Sequence, residues 1–251
     1  MKIKFLTLNT LHGGIYFDNL VEFVKKEKPD IAFFQEVYNG YDKSLERRFR
    51  AFEEYKKEFD FLSFATFEPS LFDSSRGNIG WGNAVFSKFE IKSSHAVFID
   101  SPLAEFNLGK GHSPYDVPRN LQCVEIDIMD KTLYGFNIHG VWDKHGDDSP
   151  RRFQMLEMVK GAIQGKFPAV LAGDTNLLPN TKFSEEIEKD LKSVFGRSIA
   201  STFNMKHKTN PAYATAAVDM IFVSPDIKIV DKYMPDVDVS DHMPLVAILE
   251  V

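Results

Sequence analysis

The chain holds a single cysteine, Cys123, so no intramolecular disulfide can staple it and the fold must rest on its core. At 251 residues that core is large enough, because a chain of this size buries roughly three quarters of the surface its unfolded form exposes. No stretch approaches the ~20 consecutive apolar residues that a bilayer-spanning helix needs. The opening Met1-Lys2-Ile3-Lys4-Phe5-Leu6-Thr7-Leu8 has too short an apolar run for a secretory signal, and a cytoplasmic location is the expectation. A basic excess is missing too. With 30 Lys and Arg against 36 Asp and Glu the net charge is −6, which argues against salt-driven nucleic-acid binding over the whole surface but leaves room for a local basic cleft. The sequence shows no internal repeat, low-complexity tract or linker, so residues 1–251 read as one domain, expected to be a monomer.

What the sequence does contain is a succession of apolar runs. Strand-like segments are expected at 3–9, 30–36, 83–87, 121–128, 132–139, 169–174, 218–224 and 245–251. Helical spacing appears at 17–28, where Leu20, Val21 and Val24 share a face, and at 43–59, through Leu45, Phe49, Phe52 and Tyr55. Two further helices, 150–164 and 182–194, start near Ser149-Pro150 and near Thr181 with Glu185 downstream. The run 126–133 reads as a hairpin, and the mixed order implies α/β layers with some antiparallel pairing. Segments 68–82, 100–118, 140–149 and 200–217, rich in Gly, Pro, Ser and Asn, read as long loops, which in a compact domain are functional, mobile or plain surface excursions.

Polar residues end several of the apolar runs: Asn9, Glu36, His139, and Asp174 with Asn176. Taken singly, each has an ordinary explanation. Asn9 before Gly13-Gly14 is a turn residue, Glu36 a solvated carboxylate, Gly173 to Asn176 an Asx-turn, and Asp241-His242 another turn. Asp219 is different, because a carboxylate inside the apolar run 218–223 must be paired to be tolerated. Ligands gather beyond strand ends in layered α/β proteins, so these residues are expected to converge although they are far apart in sequence.

Leu8-Asn9-Thr10, Gln35-Glu36, Gly82-Asn83-Ala84, Asn137-Ile138-His139, Gly173-Asp174-Thr175-Asn176, Val218-Asp219 and Ser240-Asp241-His242 resemble, in order, the motifs of the endonuclease/exonuclease/phosphatase (deoxyribonuclease I-like) superfamily. The resemblance implies a four-layer α/β sandwich, two packed mixed sheets flanked by helices, with the site at one edge. It also implies a metal-dependent phosphoric ester hydrolase using Mg²⁺ or Mn²⁺. On that basis Glu36 is a hard oxygen ligand for the metal, Asn9 adds a carbonyl oxygen or holds a metal-bound water, and Asp241 touches the metal. Asp174 orients or deprotonates the attacking water, Asn176 donates its amide to a phosphoryl oxygen, and His242 contacts the phosphate with Asp219 behind it. His139 matches a second phosphate-facing histidine, a candidate acid for the leaving group, which Asn83 supports by a hydrogen bond. Arg119 pairs with a phosphate or lies on the surface, and His12 is close enough to Asn9 to join the site. His95, His112, His145 and His207 show no zinc-site spacing and read as loop or surface residues.

Two other readings compete. A calcineurin-like phosphoesterase needs an early Asp-x-His and a later Gly-Asn-His, and neither occurs. A binding or scaffolding protein that lost catalysis would be expected to lack Glu36, Asp174 or His242, and all are present. For the substrate, the expected rim loops carry Arg76, Lys110, Arg119, Lys144, Arg151, Arg152, Lys206 and Lys208, interleaved with Trp81, Phe106, Tyr115, Trp142, Phe203 and Tyr213. Cations with aromatics suit a nucleic-acid strand, and Trp142 with Lys144 after His139 would flank the scissile phosphate. Acidic residues in the same loops point to a short or damaged strand or a nucleotide, the alternative being a lipid headgroup or an inositol phosphate.

Overall fold

β1 (Lys2–Asn9) shows how the sequence builds the layers. Its Ile3 and Phe5 face one way and Leu6 and Leu8 enter a different hydrophobic cluster, so both faces of the strand are buried and the run reads as almost continuously apolar. The structure, a computed structural model, describes residues 1–110, 113–129 and 131–251. His112 and Asp130, expected in a loop and in the 126–133 turn, lie outside them.

After β1 come α1 (Phe17–Glu27), β2 (Ile31–Asn39), a 3₁₀ turn at Arg47–Arg50, and α2 (Ala51–Glu58). β3 (Phe64–Asp73), β4 (Ile79–Ser87), β5 (Ile91–Phe98) and β6 (Ala104–Phe106) follow. The chain continues with β7 (Asn120–Ile128), β8 (Lys131–His139), α3 (Pro150–Ile163), β9 (Ala169–Asp174), α4 (Lys182–Ile187) and β10 (Lys192–Ser193). β11 (Asp219–Val223), β12 (Lys228–Tyr233) and β13 (Leu245–Glu250) complete it. Among the described residues the strands form a seven-stranded sheet, β12-β13-β1-β2-β4-β3-β6, and a six-stranded sheet, β10-β11-β9-β8-β7-β5. Both are mixed: β1–β2 and β8–β9 are parallel, while β1–β13 and β7–β8 are antiparallel.

One core joins the sheets face to face through Phe5, Phe33, Val124, Val170 and Ile221. A second packs α1 and α2 on the seven-stranded sheet through Leu20, Val24, Phe34, Tyr55 and Phe86. A third packs α3 and α4 on the other sheet through Met155, Val159, Phe183, Phe136 and Leu171. The expected four-layer α/β sandwich is therefore the fold.

Several expectations need correction. The helix expected at 43–59 is α only from Ala51, because Asp42 Oδ1 accepts from the Ser44 backbone N–H at 2.8 Å and holds the preceding segment in a turn. The helix expected at 182–194 ends at Ile187, since Lys192 and Ser193 pair with β11. Segment 68–82 is not a loop but the ends of β3 and β4 around a tight turn, with Asp73 Oδ1 capping Ser75 N–H at 3.0 Å. Gly82 makes that pairing possible: a Cβ there would lie 2.2 Å from the Glu68 carbonyl oxygen, where the β3–β4 register shifts.

Candidate active site

Strand ends of both sheets meet at one edge. Asn9 ends β1, His139 ends β8 and Asp174 ends β9, where it is the register partner of both His139 and Asp219. Asp219 opens β11 rather than lying inside a strand, and Asp241-His242 precede β13. Glu36 is not at a strand end. β2 runs on to Asn39, and Glu36 sits at φ +61° where the ladder with β4 slips between Phe34 and Val37, a bulge that turns its carboxylate into the site.

These residues surround a cavity of about 300 Å³ lined by Asn9, His12, Glu36, Arg119, His139, Trp142, Asp174, Asn176, Asp241 and His242, with Asp219 behind His242. Asn9 Nδ2 donates to Asp174 Oδ2 at 3.0 Å and to Glu36 Oε1 at 3.2 Å, bridging the two carboxylates. Its side-chain carbonyl oxygen accepts from Leu11 N–H at 3.0 Å, so Asn9 is held in place while its amide positions the two acids. The His12 backbone N–H donates to Glu36 Oε2 at 2.8 Å, and the His12 ring lies 3.7 Å from the same oxygen. Asn176, at φ +55°, donates its backbone N–H to Asp174 Oδ1 at 2.9 Å and its side-chain amide to the Gly140 carbonyl at 3.0 Å.

His242 Nδ1 lies 2.8 Å from Asp219 Oδ2, and its Nε2 is 4.0 Å from Asp174 Oδ2. Burial alone would lower the pKa of this imidazole, but Asp219, Asp174 and Asp241 outweigh it and raise the pKa to about 10. Burial also pushes the Asp174 carboxyl up, to about 6, against the lowering pull of His242 and the Asn9 hydrogen bond. His139 is the reverse case. Burial and the Arg119 guanidinium hold its pKa well below the usual imidazole value, and Arg119 Nη1 lies 2.9 Å from its Nε2. His139 Nε2 also lies 3.7 Å from Asp174 Oδ2 and 3.8 Å from Glu36 Oε1, so the ring faces the same carboxylates.

Asn83 does not reach the cavity. Fully buried in β4, it donates to Asn120 Oδ1 at 2.9 Å and to the Asn137 carbonyl at 3.0 Å, tying the sheets together rather than meeting His139 or a substrate. Arg119 is buried, not a surface arginine; its Nε has no hydrogen-bond partner among the described residues. Such a cation calls for an anion. Of the rim cations expected, Arg151 pairs with Asp100, and Arg76 with Asp73. Arg152 is buried under the loop, donating to the carbonyls of Val141, His145, Asp147 and Asn176. Lys208, Trp81, Phe203 and Tyr213 do line the cavity. Sequence reasoning placed Lys208 only on the rim; its ion pair with Asp241, Nζ to Oδ2 2.5 Å, has no local signal in the sequence. His207 is held by Asp238 and Tyr16, and His95 and His145 stand outside the cavity lining.

Asp174, Asp219 and His242 present ligand atoms within 4.8 Å of one another, a group with the reach to hold a metal. Within it Asp219 Oδ2 is already paired with His242 Nδ1 at 2.8 Å. Glu36 fits a divalent ion better: its oxygens take hydrogen bonds from a backbone N–H and an amide, which leaves hard lone pairs facing the cavity.

No curated protein matches the sequence. Among solved structures, the chain resembles an endonuclease/exonuclease/phosphatase from Beutenbergia cavernae at 16% identity and TM-score 0.80, covering 100% of this chain and 72% of that one. It also resembles the Bacteroides thetaiotaomicron mannosyl-6-phosphatase Bt3783 at 17% identity and TM-score 0.68, covering 99% and 100% of the two chains. D. rerio TDP2 complexed with a single-strand DNA product gives 15% identity and TM-score 0.70, covering 100% and 99%. Identities this low speak for the fold alone. The profile of one family matches residues 6–242, nearly the whole length, and the chain therefore belongs to the Endonuclease/Exonuclease/phosphatase family.

Proposed function

We propose that the protein is a metal-dependent phosphoesterase that hydrolyses a phosphodiester of a short nucleic acid or nucleotide by in-line attack of water. The observation that carries this reading is the convergence, in one cavity, of Glu36, Asp174 and a His242 ring held by Asp219 at 2.8 Å, with its Nε2 4.0 Å from Asp174. At neutral pH Asp174 is a base poised to take a proton from water. His242, a permanent cation there, donates through Nε2 to a non-bridging phosphoryl oxygen. Arg119, buried without a carboxylate partner among the described residues, adds a second donor to the cavity. A Mg²⁺ or Mn²⁺ ion held by Glu36 would neutralise phosphoryl charge as a Lewis acid. Asn9 keeps Glu36 and Asp174 at a fixed separation, and neutral His139 fills the wall without competing for protons.

The preference for a nucleic acid or nucleotide draws on the rings. Trp142, packed edge-on to Tyr115 at 4.9 Å, and Phe203, edge-on to Tyr213 at 4.6 Å, stand at the mouth where a base would stack. The bound single-strand product of the D. rerio TDP2 structure is in keeping with it. The mannosyl-6-phosphatase neighbour keeps a phosphomonoester as the second reading. A parallel turnover screen with Mg²⁺ on single-stranded DNA, abasic duplex, 5′-tyrosyl DNA, RNA, nucleotide esters, sugar phosphates, inositol phosphates and sphingomyelin separates these. Cleavage of nucleic acid or nucleotide esters is expected, and turnover confined to sugar, inositol or lipid phosphates would refute the preference while leaving the phosphoesterase chemistry intact.

A further inference from the structure

Asn137, on β8 of the six-stranded sheet, is fully buried, and its side chain bonds across to the other sheet. Its Nδ2 donates to the carbonyls of Phe34 on β2 and Ala84 on β4, at 3.1 Å each, and its Oδ1 accepts from Gln35 Nε2 at 2.7 Å. The Asn137 main-chain carbonyl takes the Asn83 amide at 3.0 Å. Phe34 and Ala84 are register partners, the last pair before the bulge that carries Glu36, while Gln35 and Asn83 lie within it. One residue of the opposite sheet therefore holds both strands where their ladder breaks.

The left-handed backbone of Glu36, φ +61°, is unfavourable for a residue with a side chain and persists only where the surroundings fix it. The β2–β4 ladder is interrupted at that point, so support has to come from outside it. Gln35 also packs on the other sheet, because a Cβ on Gly173 would lie 3.0 Å from Gln35 Nε2. Gln35 precedes Glu36 and Gly173 precedes Asp174, so the two acids stand on different sheets but their neighbours in sequence touch. We propose that Asn137 is a positioning residue: by pinning the bulge across the sheet interface it aims the Glu36 carboxylate into the cavity beside Asp174. The proposal rests on the role given to Glu36 above and adds the part that aims it.

One arm of the test is hydrogen exchange followed by NMR, with no turnover involved. In the wild type the Asn137 side-chain amide protons should persist in D₂O, and the His12 amide, bound to Glu36 Oε2 at 2.8 Å, should be protected. Asn137→Leu keeps the branched shape and removes the donors; in it His12 should lose more protection than the core amides of β9 and β13. The second arm is kinetic, with Mg²⁺ and an ester that the wild type turns over. Asn137→Leu should lower kcat roughly 10- to 100-fold at a nearly unchanged KM. The same substitution in a Glu36→Gln background should cost little further. Gln35→Met, which removes one of the bonds at similar volume, should show the same pattern more weakly and serves if Asn137→Leu does not fold. Fast exchange of the wild-type Asn137 amide, a loss of protection that merely tracks Tm, or equal kinetic losses in both backgrounds would overturn the proposal. A wild type that turns over no phosphate ester would overturn the metal-dependent reading instead, and the exchange arm would still decide whether Asn137 aims Glu36.

Discussion

At the scale of single residues, His242 and Asp219 form the unit on which the site's charge depends. Replacing Asp219 by Asn removes the largest influence raising the imidazole pKa and leaves burial opposed only by Asp174 and Asp241, so the His242 pKa should fall from about 10. NMR titration of the histidine ring checks this; a wild-type ring that titrates between pH 6 and 7 would contradict it. The sign for stability follows: the folded-state pKa is raised, so the pair's contribution is full below about 6.5 and is lost as pH rises through about 10. For turnover, Asp174→Asn and His242→Ala should each cost roughly 10²-fold or more with little change in Tm. The Asp219→Ala/His242→Ala pair should cost far less than the product of its single effects, as expected of side chains 2.8 Å apart acting as one group. The rate should rise with pH through the Asp174 titration, at or below about 6, because the deprotonated form is the base. Most of these residues were legible in the sequence because a polar side chain closing an apolar run is itself a signal. The surroundings were less so: nothing in the sequence sets Arg119 against the His139 ring, and Asn83 looks like a site residue until its partners prove to be Asn120 and Asn137.

At the scale of elements, the site is built by strand ends and held by loops that are themselves pinned from beneath. Arg152 on α3 is the pin for 140–149, donating to carbonyls of Val141, His145, Asp147 and Asn176. Arg152→Ala should lower stability by about 2–4 kcal/mol, since buried carbonyls lose their donor. It should also reduce turnover, because Trp142 and Asn176 lose their support; an unchanged Tm would show that the loop stands without it. Central strands such as β1, β9 and β13 were readable as apolar runs because both their faces are buried. β5 and β12, with Lys92, Ser93, Asp231 and Lys232, were not, because edge strands carry the polar residues that keep an exposed edge from pairing further. The bulge that aims Glu36 also left no trace in composition, since it is set by where β4 falls out of register.

At the scale of the whole molecule, three hydrophobic cores hold the layers, and no part of them depends on the site's carboxylates. Chelation is therefore expected to abolish activity while the thermal transition moves little. The net charge of −6 sets a further expectation: a nucleic acid is held by the few cations at the cavity, so binding should weaken with salt by a shallow slope. Trp142→Ala should raise KM for such a substrate by the loss of stacking worth about 1–3 kcal/mol, with kcat nearly unchanged. The four layers and their shared edge were legible because they follow from ordered motifs spread over the chain; the closeness of Lys208 to Asp241 was not, because it arises only when the 203–216 segment folds back over the strand ends. The most direct measurement is turnover of a short single-stranded oligonucleotide by metal-stripped protein as Mg²⁺ is added back, for the wild type and for Glu36→Gln. Activity should be absent without the ion, return in the wild type on addition, and stay at least roughly 10²-fold lower in Glu36→Gln. Full turnover in the presence of chelator, or a fully active Glu36→Gln, would contradict it.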